Sequence, residues 1–116
     1  MQYMLLIYTD DTTEPAPGTA EFGTYMQRYM EFTQEVKDKG LFVAGDALEK
    51  VNTATTVRVR KNEVDTTDGP FAETKEVLGG YYLLDCKDLD QAIEYAAKIP
   101  AAELGSIEIR PVMVFD

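Results

Sequence analysis

Asp46 and Arg58 form the first pair whose types and placing could do chemistry. Asp46 follows a glycine near the end of one strand-like segment, and Arg58 lies on another. Side by side on a sheet face they would make an acid/base or anion-recognition pair, or a plain cross-strand ion pair. The second group lies in Asp68-Gly69-Pro70-Phe71-Ala72-Glu73-Thr74-Lys75-Glu76. Asp68-Gly69 supplies a turn, Pro70 fixes the next φ angle and Phe71 offers a large apolar anchor against a core or a partner. Glu73 and Lys75 then become polar groups on a rigid loop, suited to orienting a substrate and equally to a structural ion pair or dimer contact. Tyr25, Tyr29, Tyr81 and Tyr82 could line a pocket with phenolic donors, or fill a core. Thr33 most simply returns its hydroxyl to the carbonyl of Tyr29. The expected substrate-binding set is Asp46, Arg58, Asp68, Glu73, Lys75 and Tyr82, and no acid, base or nucleophile stands out within it.

Composition narrows the chemistry further. The chain has no histidine, which removes the usual general base and commonest metal ligand at neutral pH. Cys86 is the only cysteine, so no intrachain disulfide can form, and its place at the end of an apolar strand suits a buried thiol. No zinc, phosphate-loop or dinucleotide motif occurs, and no cofactor or metal is expected. Asp10-Asp11 reads as a solvated loop pair rather than a cation site. Eleven basic against twenty-one acidic side chains give a net charge of −10, which repels nucleic acid and anionic lipid. The longest apolar run, Tyr3 to Tyr8, is far too short to cross a bilayer, and no signal-peptide pattern opens the chain. A cytoplasmic protein is the expectation, with one domain over residues 1–116.

The elements that must position these residues follow from periodicity. Gln2 to Tyr8 reads as a strand apolar on both faces, hence central. Asp10 to Gly18 reads as a loop, and a helix follows from about Thr19 to Lys39, with Phe22, Met26, Tyr29, Thr33 and Val36 as its inward stripe and Gly40 as its stop. Leu41 to Leu48 is a second strand. Thr55 to Lys61 and Glu63 to Thr67 form a hairpin turning at Lys61 and Asn62. Gly79 to Cys86 is another strand apolar on both faces. Asp88 and Gln91 resemble a capping box opening a helix with the stripe Leu89, Ala92, Ile93 and Ala96, which Pro100 ends. Ser106 to Phe115 closes the chain as a strand. This is an α+β, ferredoxin-like βαββαβ plan with an inserted hairpin. Two helices cover one sheet face only, so a second copy of the chain is expected on the other, making a homodimer.

The run from Asp68 to Glu76, followed by Leu78-Gly79-Gly80, resembles the DGPF branch of the YCII-related family. The resemblance extends to Met4-Leu5-Leu6-Ile7-Tyr8, Ala44-Gly45-Asp46, Ala54-Thr55-Thr56-Val57-Arg58 and Glu108-Ile109-Arg110-Pro111-Val112-Met113, and so covers nearly the whole chain. It implies a subunit that pairs into a dimeric α+β barrel, in a family whose role is mostly unassigned. Two functions follow as expectations. One is a small-molecule-binding protein, a lyase or isomerase of a small polar or aromatic compound, since relatives in the wider family and fold include dehydrochlorinases and lactone isomerases. The other is a non-catalytic accessory protein linked to an extracytoplasmic-function sigma factor, whose genes often neighbour those of this branch. A histidine-aspartate pair found in several wider relatives has no counterpart here. The branch more often carries glutamate at the position of Asp46.

Overall fold

The computed structural model describes residues 1–116. Its main sheet holds strands β1 (Gln2–Thr9), β2 (Phe42–Ala47), β5 (Val77–Asp85) and β6 (Ser106–Pro111), in the order β2-β5-β1-β6 and antiparallel throughout. Helices α1 (Ala20–Asp38) and α2 (Leu89–Ala96) connect them. The strand order is that of a ferredoxin-like α+β fold, with β1 and β5 central as their two-sided apolar pattern requires.

Local chemistry sets the boundaries. Thr19 caps α1 by accepting from the Phe22 N–H at 3.1 Å, and Gly40 follows the helix at φ 73°, a conformation that costs glycine nothing. Asp88 caps α2 by accepting from the Gln91 N–H at 2.9 Å, while the Gln91 side chain accepts from Lys87 N rather than closing a reciprocal box on Asp88. Lys61 and Asn62 both have positive φ, as a two-residue hairpin turn demands.

Pleat alternation sorts the sheet into two faces. Tyr3, Leu5 and Ile7 of β1 and Tyr82 and Leu84 of β5 are buried beneath the helices, joined by Phe32, Val36, Ala92, Tyr95 and Ile99. Leu5, Leu84 and Ile99 are completely buried, each worth about 1.5–3 kcal/mol of transfer free energy. The opposite face carries Met4, Leu6, Tyr81 and Leu83, which remain partly exposed because no helix covers them. The exposed bidentate pair from Arg28 to Glu103, at 3.0 and 2.7 Å, ties α1 to the short 3-10 turn Pro100–Glu103, and solvent screening keeps its contribution to stability small.

Both helical stripes are corrected in part. Val36 of α1 and Ala92 and Ala96 of α2 are buried as expected and Tyr29 packs against the core, but Tyr25, Phe32 and Tyr95 are buried in place of Met26, Leu89 and Ile93, which are exposed. The final strand ends at Pro111, and Met113, Val114 and Phe115 lie exposed beyond it.

Strands β3 (Thr55–Arg60) and β4 (Glu63–Asp68) form a separate two-stranded sheet that pairs with no strand of the main one. Its valines, Val57, Val59 and Val64, are exposed. The arm makes the molecule broad and thin, 48 × 47 × 18 Å, with a radius of gyration of 16.2 Å. A compact chain of this length would have about 13 Å.

Candidate functional site

A cavity of about 430 Å³ opens between the flank of α1 and the β2–β5 side of the sheet. Its volume falls in the usual range for small-molecule sites, and its walls are mixed aromatic and aliphatic. Of the stripe expected to enter the core, Phe22, Met26 and Thr33 line this cavity instead, and Tyr29 both packs against the core and borders the cavity. The loop after β1 and the segment after β2 close its ends with Glu14 and Lys50.

Two hydrogen-bonded groups supply its polarity. Glu14, on the loop between β1 and α1, accepts from the Thr9 hydroxyl at 2.8 Å and from the Tyr25 hydroxyl at 3.2 Å, one bond to each carboxylate oxygen. Thr33 donates to the Tyr29 carbonyl at 2.9 Å, as its helical position implies. That bond uses the only hydroxyl proton of Thr33, so in the 2.6 Å contact between Thr33 and Tyr82 the phenol is the donor. Tyr82 is fixed further by edge-on contacts with Phe32 and Phe42, at centroid separations of 5.0 and 6.4 Å.

Burial raises the phenols. Tyr29 is pushed up to about 12, chiefly by loss of solvent. Tyr25 is raised first by burial, then by Tyr29 and by the Glu14 carboxylate; Tyr82 is raised by burial. All three are neutral hydrogen-bonding groups near pH 7.

Of the six residues proposed from sequence, Asp46 and Tyr82 border the cavity, and Arg58, Asp68, Glu73 and Lys75 do not. Asp46 contributes through its strand. Its carboxylate accepts from the Tyr81 hydroxyl at 2.9 Å, and since Tyr81 neighbours the inward Tyr82, this bond lies on the face turned away from α1. It also raises the Tyr81 phenol. The Asp46–Arg58 pair is therefore corrected: Arg58 belongs to the hairpin arm, in register with Asp65. Asp68 ends β4, where the Gly69 N–H donates to the Ala54 carbonyl at 2.7 Å and the Thr56 hydroxyl to the Gly69 carbonyl at 2.8 Å. Glu73 and Lys75 are exposed and form no ion pair with each other. Lys75 is close enough to Asp10 to help lower its carboxyl, behind the larger effects of hydrogen bonds from the Thr12 N–H and hydroxyl. Phe71 is 79% exposed, so it anchors nothing within its own chain. Asp11 is held by Lys50 at 3.1 Å.

Glu14 is the site residue that sequence reasoning missed. It sits in a Thr/Pro/Gly-rich loop, and only the packing of that loop on Thr9 and Tyr25 distinguishes it from other surface acids.

The fold and cavity define a ferredoxin-like α+β protein with a site between helix and sheet. Comparison with known proteins gives its family. The YCII-related domain matches residues 1–116, and the chain belongs to that family. The uncharacterized protein R00369 of Rhizobium meliloti (strain 1021) is 33% identical over 117 residues, covering 99% of this chain and 94% of its own length. Among solved structures, 5-chloro-2-hydroxyhydroquinone dehydrochlorinase from Burkholderia phenoliruptrix AC1100, in complex with 2,5-dihydroxybenzoquinone, is similar with a TM-score of 0.49 and 11% identity, over 97% of this chain and 94% of that one.

Proposed function

We propose that this protein binds a small aromatic or polar molecule in the cavity between α1 and the sheet, as a member of the DGPF branch of its family. The carrying observation is the cavity itself: about 430 Å³, with Glu14, Tyr25, Thr33 and Tyr82 already held by hydrogen bonds. Groups held in advance lose little freedom when a ligand arrives, which favours binding. A lyase or isomerase is the reaction class proposed, because such reactions turn on proton transfers that carboxylate and phenol groups can serve. Within one chain, Asp46 borders the cavity through its strand with its carboxylate turned to the other face, while Tyr82 remains in the proposed contact set. Arg58, Asp68, Glu73 and Lys75 would join it only from a second copy.

That second copy is part of the proposal. The uncovered sheet face with Leu6 and Leu83, the exposed valines of the hairpin arm and the exposed Phe71 and Phe115 are apolar surfaces that one chain leaves wet. Two copies facing each other through their sheets would bury the first of these and give a dimeric α+β barrel. The proposed setting is the cytoplasm, where a lone buried thiol such as Cys86 stays reduced.

The test is a thermal-shift screen of small aromatic and polar metabolites, with hits followed by NMR for conversion. Hits whose stabilisation disappears in Thr33→Trp, which fills the cavity, support the reading. Hits indifferent to that substitution, or none from a broad library, would move the function to a protein-binding accessory role.

A further inference from the structure

The sign of the ligand's charge follows from how Glu14 is held. Resting on the cavity reading above, we infer that the site takes an organic cation, a primary amine carried on an aromatic or aliphatic body, with its ammonium group against Glu14. A carboxylate offers about four acceptor directions. Thr9 and Tyr25 each occupy one, and Glu14 itself lines the cavity, so acceptor capacity remains for a donor arriving from inside. An ammonium group brings three N–H donors and a full positive charge to that capacity.

The surroundings favour the same sign. The other charged residues bordering the cavity are Asp11, Glu49, Lys37 and Lys50, with Asp46 reaching it through its strand and its carboxylate on the far face of the sheet. Lys50 is already paired with Asp11 at 3.1 Å, which leaves Lys37, its ammonium 5.1 Å from the Phe42 ring centroid, as the one lining base without a carboxylate partner. Phe22, Tyr25 and Tyr29 supply aromatic rings to the same walls, and ring faces attract cations. The net charge of −10 concentrates cations near the surface and repels carboxylate ligands. An anion placed here would approach the Glu14 carboxylate, whose nearby basic group Lys50 is already paired with Asp11, and that approach is costly in a partly enclosed site.

Three probes of one shape separate this inference from the cavity reading: phenethylamine, phenylethanol and phenylacetate, measured by calorimetry on the full chain at neutral pH. Phenethylamine is expected to bind at least about tenfold more tightly than either of the others, a difference of about 1.4 kcal/mol. In Glu14→Gln its affinity should fall to that of phenylethanol, whose binding shows that the cavity is still intact. The wild-type preference for the amine should also weaken as salt is added, which checks the charge without any variant. Phenylethanol or phenylacetate binding as tightly as the amine would overturn the inference and leave the cavity reading standing. Failure of all three to bind would overturn the inference, while the cavity reading falls only if the broad screen also yields no hits.

Discussion

Gly45 and Tyr82 face each other across β2 and β5, and a methyl group on Gly45 would stand 2.8 Å from Cδ1 of the Tyr82 ring. The ring has nowhere to go, since Phe32 and Phe42 flank it and Thr33 holds its hydroxyl. Gly45→Ala should therefore destabilise the fold by about 1–3 kcal/mol, the usual cost of overpacking. Chemical denaturation measures it. A stability equal to wild type would show that Tyr82 moves freely and is no fixed wall of the cavity.

Leu83 tests the second copy. It lies on the sheet face that the helices leave uncovered, in register with Met4 on the neighbouring strand. Light scattering at micromolar concentration should give twice 13.0 kDa for the wild type and 13.0 kDa for Leu83→Lys, with circular dichroism unchanged. A wild-type mass of 13.0 kDa would remove the dimer.

Phe71 looks from sequence like a buried anchor worth several kcal/mol, yet it is 79% exposed. In a monomeric Leu83→Lys background, Phe71→Ala should change stability by no more than about 0.5 kcal/mol. In the wild type, any larger loss should depend on protein concentration, because it would come from contact with another copy.

Alkaline pH should unfold the protein through its buried phenols. An unperturbed tyrosine ionises near about 10, whereas Tyr29 is held up to about 12 by burial and Tyr25 is also raised. Between those values the folded state binds more protons than the unfolded state, so stability falls as pH rises. Their contribution is fully present below about 10 and is lost on passing upward through the folded values. Denaturation midpoints from pH 8 upward, compared with Tyr29→Phe, check the sign. A smaller alkaline loss in the variant is expected.

The residues themselves determined everything that depends on near neighbours along the chain. The Asp88 cap, the Gly40 stop, the Lys61-Asn62 turn and the two-sided strands β1 and β5 were all readable, because capping, turn geometry and the two-residue pleat act over a few residues. The plan of the fold followed from their order. Tertiary structure alone decided which flank of α1 meets the sheet: Phe32 and Val36 entered the core, and Phe22, Tyr25, Met26 and Thr33 turned to the cavity. Adjacent stripes differ by about 100° of rotation per residue, and both were apolar enough to be buried, so packing against β1 and β5 made the choice. The same long-range packing gave Asp46 to Tyr81 instead of Arg58, and brought Glu14 against Thr9 and Tyr25. A carboxylate in a loop carries no local signal of its partners, and only the folded chain supplies them.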